Sequence, residues 1–144
     1  MRERSLGVHL ALAALPAGGA YSIQTYLSFP AWIRYLAFVV RYTKTGATGQ
    51  WKAKLMWAWP GFDGAQASES LLDPSMLAVA EPEALQKLYE GTFPGPIYSD
   101  VSRHDYTIVV KKPPCASMVA LRLAELAVPA TPGIAQILVY AAEG

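Results

Sequence analysis

The chain has 144 residues, a net charge of +1 and one cysteine. This length predicts a single domain over residues 1–144 with a proper hydrophobic core. One cysteine excludes an intrachain disulfide framework and a cysteine-based zinc site, and the near-neutral charge argues against a nucleic-acid partner. Hydrophobic residues make up 53% of the chain and charged residues 16%, against about 25% charged residues in ordinary domains.

Such an apolar chain has more hydrophobic surface than its own core needs. No apolar run approaches the roughly 18 residues that a membrane-spanning helix requires, so we expect no membrane partner. We therefore expect subunits to bury the surplus in a homo-oligomer, with a trimer as one option.

The first segment, MRERSLGVHLALAALPAGGAYS, resembles a secretory signal peptide in its basic start and apolar stretch. A strict period of two favours a strand instead. The alternating residues are Leu6, Val8, Leu10 and Leu12. Glu3 and His9 are also unusual in a signal sequence, so we expect an edge strand or arm and no cleaved signal peptide. A secreted periplasmic β-protein stays as the alternative.

Three further strands are predicted before residue 60. The first covers 21–28, and the second lies in IRYLAFVVRYTKT, which is rich in β-branched and aromatic residues. The third is WKAKLMWAW, joined to the second by the glycine-containing loop TKTGATGQ, so the two are expected to pair antiparallel. The faces predicted to be apolar are Leu36, Phe38, Val40 and Tyr42 on the second strand and Trp51, Ala53, Leu55, Trp57 and Trp59 on the third.

Residues 60–103 are predicted to be a long insertion between strands. EPEALQKLYEG is typical of a short helix, with Pro82 in its first turn and Gly91 at its end. DYTIVVKK, MVALRLAELAV and IAQILVYAAEG then predict three more strands, the last apolar on both faces apart from Gln136. With about seven or eight strands and no βαβ alternation, the fold class is all-β, an antiparallel β-sandwich or jelly roll with one short helix in the insertion.

The sequence has no recognisable catalytic, cofactor or metal motif. His9 and His104 are far apart in the chain, and the neighbouring His104 and Asp105 would point to opposite faces of a strand. Cys115 lies in a turn without a partner motif. We therefore expect no enzyme, no cofactor and no metal site.

Tryptophans on one strand face could instead form a platform for sugar rings. Trp51, Trp57 and Trp59 have this spacing, but Leu55 between them and the lack of polar neighbours on that face favour core or interface packing. A carbohydrate-binding module or adhesin-like sandwich stays as the alternative function.

The stretch GGAYSIQTYLSFPAWIRYLAFVVRYTKTGATGQWKAKLMWAW resembles small virion proteins of tailed bacteriophages. The resemblance is one of layout: a short strand, an element of the form hydrophobic-x-F-V-V-x-Y-T, a glycine-rich hairpin and an aromatic strand. TPGIAQILVYAAEG is similar to their closing strand. The resemblance implies a jelly roll or sandwich that decorates or cements a capsid, or that has another structural position in the particle, with no enzyme activity.

The implied partners are copies of the chain and the major capsid protein or other virion proteins. The implied location is the virion surface, after synthesis in the host cytoplasm. Our candidate interface residues are Leu6, Val8, Leu10, Trp51, Trp57, Trp59, Ile134, Leu138 and Tyr140.

Overall fold

A computed structural model describes residues 2–46, 49–58, 77–79, 93–113, 116–126 and 132–143. The strands among these residues form two antiparallel β-sheets. The predicted all-β sandwich is confirmed. The strands are β1 (Glu3–Ala14), β2 (Leu27–Ser28), β3 (Tyr35–Thr43), β4 (Trp51–Ala58), β5 (Leu77–Val79), β6 (Phe93–Pro94), β7 (His104–Lys111), β8 (Met118–Glu125) and β9 (Ile134–Ala142). The helix predicted over 81–91 lies outside the described residues, as does most of the predicted insertion.

The strand order is nested, so that early strands pair with late ones. Sheet A has the order β1-β9-β3-β7-β5 and sheet B the order β2-β8-β4-β6. The antiparallel pairing predicted between the second strand and WKAKLMWAW is therefore wrong, because β3 and β4 lie in different sheets. Without β5, the first strand pairs with the last, the second with the second-last, and so on inward to β4 with β6. Two four-stranded sheets in this nested order have the topology of a jelly roll, and β5 extends sheet A beside β7.

The core lies between the sheets and follows the alternation predicted for β3 and β4, and β8 alternates in the same way. Even-numbered residues of β3 point inward, as do odd-numbered residues of β4 and β8. These inward residues are Leu36, Phe38, Val40, Tyr42, Trp51, Ala53, Leu55, Trp57, Val119, Leu121 and Leu123, each at most 5% exposed. A period of two predicts the buried face correctly wherever the ladder is regular.

β1 departs from the alternation predicted for it. Its register against β9 shifts three times, and Gly7 has φ +87°. Because each bulge turns the following side chains to the other face, Val8 and Leu12 are exposed and His9 is buried. The single apolar face predicted for this strand is therefore wrong.

Most of the segment 21–28, which was predicted to be a strand, contacts β8 through single hydrogen bonds instead of a regular ladder. Only Leu27 and Ser28 form a ladder with β8. Upstream, the Ser22 N–H donates to the Leu123 carbonyl (2.7 Å), and the Leu123 N–H donates to the Ser22 hydroxyl (3.1 Å). The Gln24 side-chain amide donates to the Leu121 carbonyl (2.6 Å). These contacts give hydrogen-bond partners to backbone groups on the edge of β8 that has no full neighbouring strand.

Replacing Gly7 by alanine is expected to lower the free energy of unfolding by about 1 kcal/mol. A Cβ at this position meets nothing within 4 Å, so the cost comes from the positive φ alone. Urea denaturation measures it, with Gly7→Asn as the control because asparagine tolerates this backbone region better. Equal stability of all three proteins would contradict the bulge at Gly7.

Candidate interface

Four neighbouring strands of sheet A carry apolar side chains on the face turned away from the core. In one row across the sheet, Val8 pairs with Leu138, which pairs with Val39. In the adjacent row, Tyr140 pairs with Ala37. We define the outward face of sheet A by Ser5, Val8, Tyr35, Ala37, Val39, Thr107, Val109, Ile134, Leu138, Tyr140 and Ala142.

Three of the large apolar side chains on this face are exposed. Val8 is 53% exposed, Tyr140 44% and Ile134 37%. A groove of about 460 Å³ crosses the face and is lined by residues that include Tyr35, Val109 and Tyr140. Contiguous apolar surface of this kind marks an interaction site more often than scattered exposed residues do.

Charged residues border the outward face of sheet A at both ends of its strands. Glu3 and Lys111 lie at opposite sides of the end row, separated by Ala142 and Tyr35. Near the other end, a row of Gln136, Arg41 and Asp105 separates Ile134 from the apolar centre of the face. Arg41 Nε lies 3.7 Å from an Asp105 carboxylate oxygen. An apolar centre with a charged border is the usual anatomy of a protein–protein interface.

The outer face of sheet B is different, because cationic side chains and tyrosines cover it. Lys54 Nζ lies 4.8 Å from the centre of the Tyr21 ring, and the Arg122 guanidinium lies 5.8 Å from that of Tyr26. Cation–π contacts of this kind suit a surface in contact with water. Of the two outer faces, that of sheet A is therefore the better candidate interface.

The structure brings four of the nine predicted interface residues together. Val8, Ile134, Leu138 and Tyr140 lie on the outward face of sheet A, whereas Leu6 and Leu10 are half-buried against the core. Tyr35, Ala37, Val39 and Val109 also lie on this face but are not among the predicted residues. Tyr35, Ala37 and Val39 make the second face of β3 apolar too, which is the signal that the sequence offers for them.

The prediction that Trp51 and Trp57 contribute to an interface is wrong. Both have no exposed surface, so they offer nothing to a partner or to a sugar ring. Trp51 packs against Phe93 and Tyr106 at centroid distances of 5.7 Å and 5.6 Å. Trp59 lies outside the described residues.

A buried carboxyl group closes one end of the sandwich. Glu125 is 1% exposed. Its Oε1 accepts hydrogen bonds from the Tyr42 hydroxyl (2.5 Å) and from the Gly133 N–H (2.6 Å). Burial and the hydrogen bond to Glu125 raise the pKa of Tyr42, which keeps that hydroxyl a donor.

The contacts around this carboxyl group continue toward the surface. Tyr42 stacks on Tyr98 at 5.5 Å, and Tyr98 stacks on His104 at 4.5 Å. His104 Nε2 lies 2.8 Å from Asp100 Oδ1, so its carboxylate contact is with Asp100 rather than with the neighbouring Asp105. The His104 hydrogen bond lowers the pKa of Asp100. These contacts connect strand ends with the loops next to them. None of them pairs a nucleophile with a base.

His9 is another buried polar side chain with a structural role. Its Nε2 accepts a hydrogen bond from the Leu121 N–H (3.1 Å), which attaches β1 to the edge of β8 in the other sheet. A ring that accepts at Nε2 is neutral, with its proton on Nδ1. Burial, together with the positive charge of Arg122, lowers the pKa of His9 to about 4.

The described residues contain no group of three or more His, Cys, Asp or Glu side chains that could hold a metal ion. No helix in that part of the chain is long and apolar enough to cross a membrane. Cys115 lies outside it. Comparison of the chain with protein-family models, curated proteins and solved structures finds no significant match.

Proposed function

We propose that this chain is a non-enzymatic structural component of a bacteriophage particle, a capsid decoration or cementing protein that stabilises the shell through contacts between subunits. The outward face of sheet A is the observation that carries the proposal. It offers a row of apolar side chains, Val8, Leu138 and Val39, at the centre of a broad sheet.

The strand order supports the same proposal. Jelly rolls serve in viral capsids and in lectins, among other proteins. Because fold alone does not decide function, the surface makes the difference. Trp51 and Trp57 are in the core, so the sugar-binding alternative loses two of the three tryptophans that motivated it.

A cementing protein needs only modest affinity at each contact. Burial of apolar surface contributes about 25 cal/mol per Å² before the costs of ordering are subtracted. Many weak contacts in a lattice act together, since binding at one site raises the effective concentration at the next. The outward face of sheet A suits this mode of action.

Particles made without this chain are expected to rupture at a lower temperature than complete particles. The measurement is light scattering during a heat ramp, with negative-stain microscopy of the heated particles. Adding the purified chain back is expected to restore the rupture temperature, and an antibody against the chain is expected to label heads and not tails. Unchanged assembly and unchanged rupture temperature without the chain would refute the cementing role.

A further inference from the structure

We propose that the outward face of sheet A packs against the same face of a second copy of this chain, about a two-fold axis parallel to the strands and between β9 and β3. The proposal rests on the assembly role proposed above and names the partner of that surface. An axis in this place sets β9 of each copy opposite β3 of the other, and β1 opposite β7.

The side chains on this face are complementary in size under that rotation. Tyr140 and Ala37 are neighbours in one row, so the large residue of each copy comes to lie over the small residue of the other. Tyr35 and Ala142, which are paired in the end row, have the same relation. In sheet-on-sheet packing, side chains of the two inner faces interdigitate in this way.

The charges at the edge of the face are complementary under the same rotation. Glu3 on β1 and Lys111 on β7 lie in one row, on opposite sides of the axis. Each glutamate is therefore brought toward the lysine of the other copy, which gives two symmetric ion pairs at the rim. Such rim pairs fix register and orientation more than they add affinity.

A two-fold axis perpendicular to the strands fits less well. If it ran through the row of Val8, Leu138 and Val39, it would set Arg41 of one copy over Ala37 of the other. It would also set Asp105 over Val109. Burying a charge against an apolar side chain is costly. The axis parallel to the strands instead sets Arg41 of one copy opposite the polar Gln136 of the other, so it is the better fit.

The dimensions of the face agree with a dimer that dissociates on dilution. Four strands at the usual spacing are about 20 Å wide, and the nine residues of β9 are about 30 Å long. The projected area, roughly 600 Å² per copy, lies toward the lower end for specific complexes. We therefore expect a dissociation constant of micromolar order.

Sedimentation velocity of the full chain between about 1 μM and about 100 μM tests the dimer directly. The wild-type protein is expected to shift from monomer to dimer over this range, and Leu138→Lys is expected to remain monomeric. Ile97→Lys is the matched control, because Ile97 is 72% exposed and lies outside the outward face of sheet A. Circular dichroism of each variant checks folding.

A charge exchange keeps the proposal falsifiable if Leu138→Lys does not fold. Glu3→Lys and Lys111→Glu alone are each expected to weaken the dimer at least threefold, and the double variant is expected to restore it. A monomer at every wild-type concentration, a dimer insensitive to Leu138→Lys, or no restoration in the double variant would overturn the proposal.

The same proteins separate this proposal from the assembly role. A wild-type monomer that still restores the rupture temperature of particles would refute the dimer and leave the cementing role intact. A dimer with the expected charge dependence that does not bind particles would refute the cementing role and leave the dimer intact.

Discussion

Replacing Glu125 by leucine is expected to lower the free energy of unfolding by about 2 to 6 kcal/mol. The apolar side chain leaves two buried donors, the Tyr42 hydroxyl and the Gly133 N–H, without the acceptor that both now use. Each unpaired buried donor costs about 1 to 3 kcal/mol. Urea denaturation monitored by tryptophan fluorescence measures the loss.

Two further variants assign the loss to these hydrogen bonds. Glu125→Gln keeps an acceptor oxygen and is expected to cost less than Glu125→Leu. In a Tyr42→Phe background one of the two donors is already absent, so Glu125→Leu is expected to cost less there than in the wild type. A loss that is the same in both backgrounds would contradict the Tyr42–Glu125 hydrogen bond.

Acidification from pH 7 to pH 5 is expected to destabilise the protein by about 2 kcal/mol through His9 alone. Its pKa falls from 6.5 to about 4 on folding, so between these values the unfolded chain binds a proton that the folded chain does not. The stability that the neutral His9 contributes is fully present above pH 6.5 and is lost as the pH falls. The loss reaches about 3 kcal/mol near pH 4.

Protonation of His9 would also break its contact with β8, because a protonated Nε2 cannot accept from the Leu121 N–H. Urea denaturation at several pH values between 7 and 4.5 measures the slope. His9→Gln is the control, since glutamine presents an acceptor of similar reach and does not titrate. An equal slope in both proteins would show that His9 is accessible to protons in the folded state.

The regular part of the fold could be predicted from the sequence because its strands alternate strictly. On β3, Phe38 and Val40 fall on the buried face as the pattern requires. The sequence also predicts β1 as an edge strand, which the strand order confirms. Its buried face could not be predicted, since its bulges break the period and nothing near Gly7 except the glycine itself marks them. Ser22 and Gln24 replace a predicted ladder by side-chain hydrogen bonds, which no periodicity reveals.

The candidate interface could be predicted only in part. β9 is apolar on both faces, so Leu138 and Tyr140 were found from composition. The sequence cannot decide whether Trp51 packs in the core or at an interface, because an apolar strand face is the same in sequence whether it points to the core or to a partner. Nothing in the sequence around Glu125 indicates that it is buried, and only the positions of Tyr42 and Gly133 show that a carboxyl group can be buried there.

The pairing of the first strand with the last has a consequence for how the chain folds. Contacts between residues far apart in sequence slow folding, because the loop that separates them must close first. On the ribosome, Val8 has no partner until Leu138 has been made. During that time β1 is an unpaired edge, and its charged start and its bulges are features that discourage pairing with the wrong strand. We therefore expect β1 to be the last strand to join sheet A.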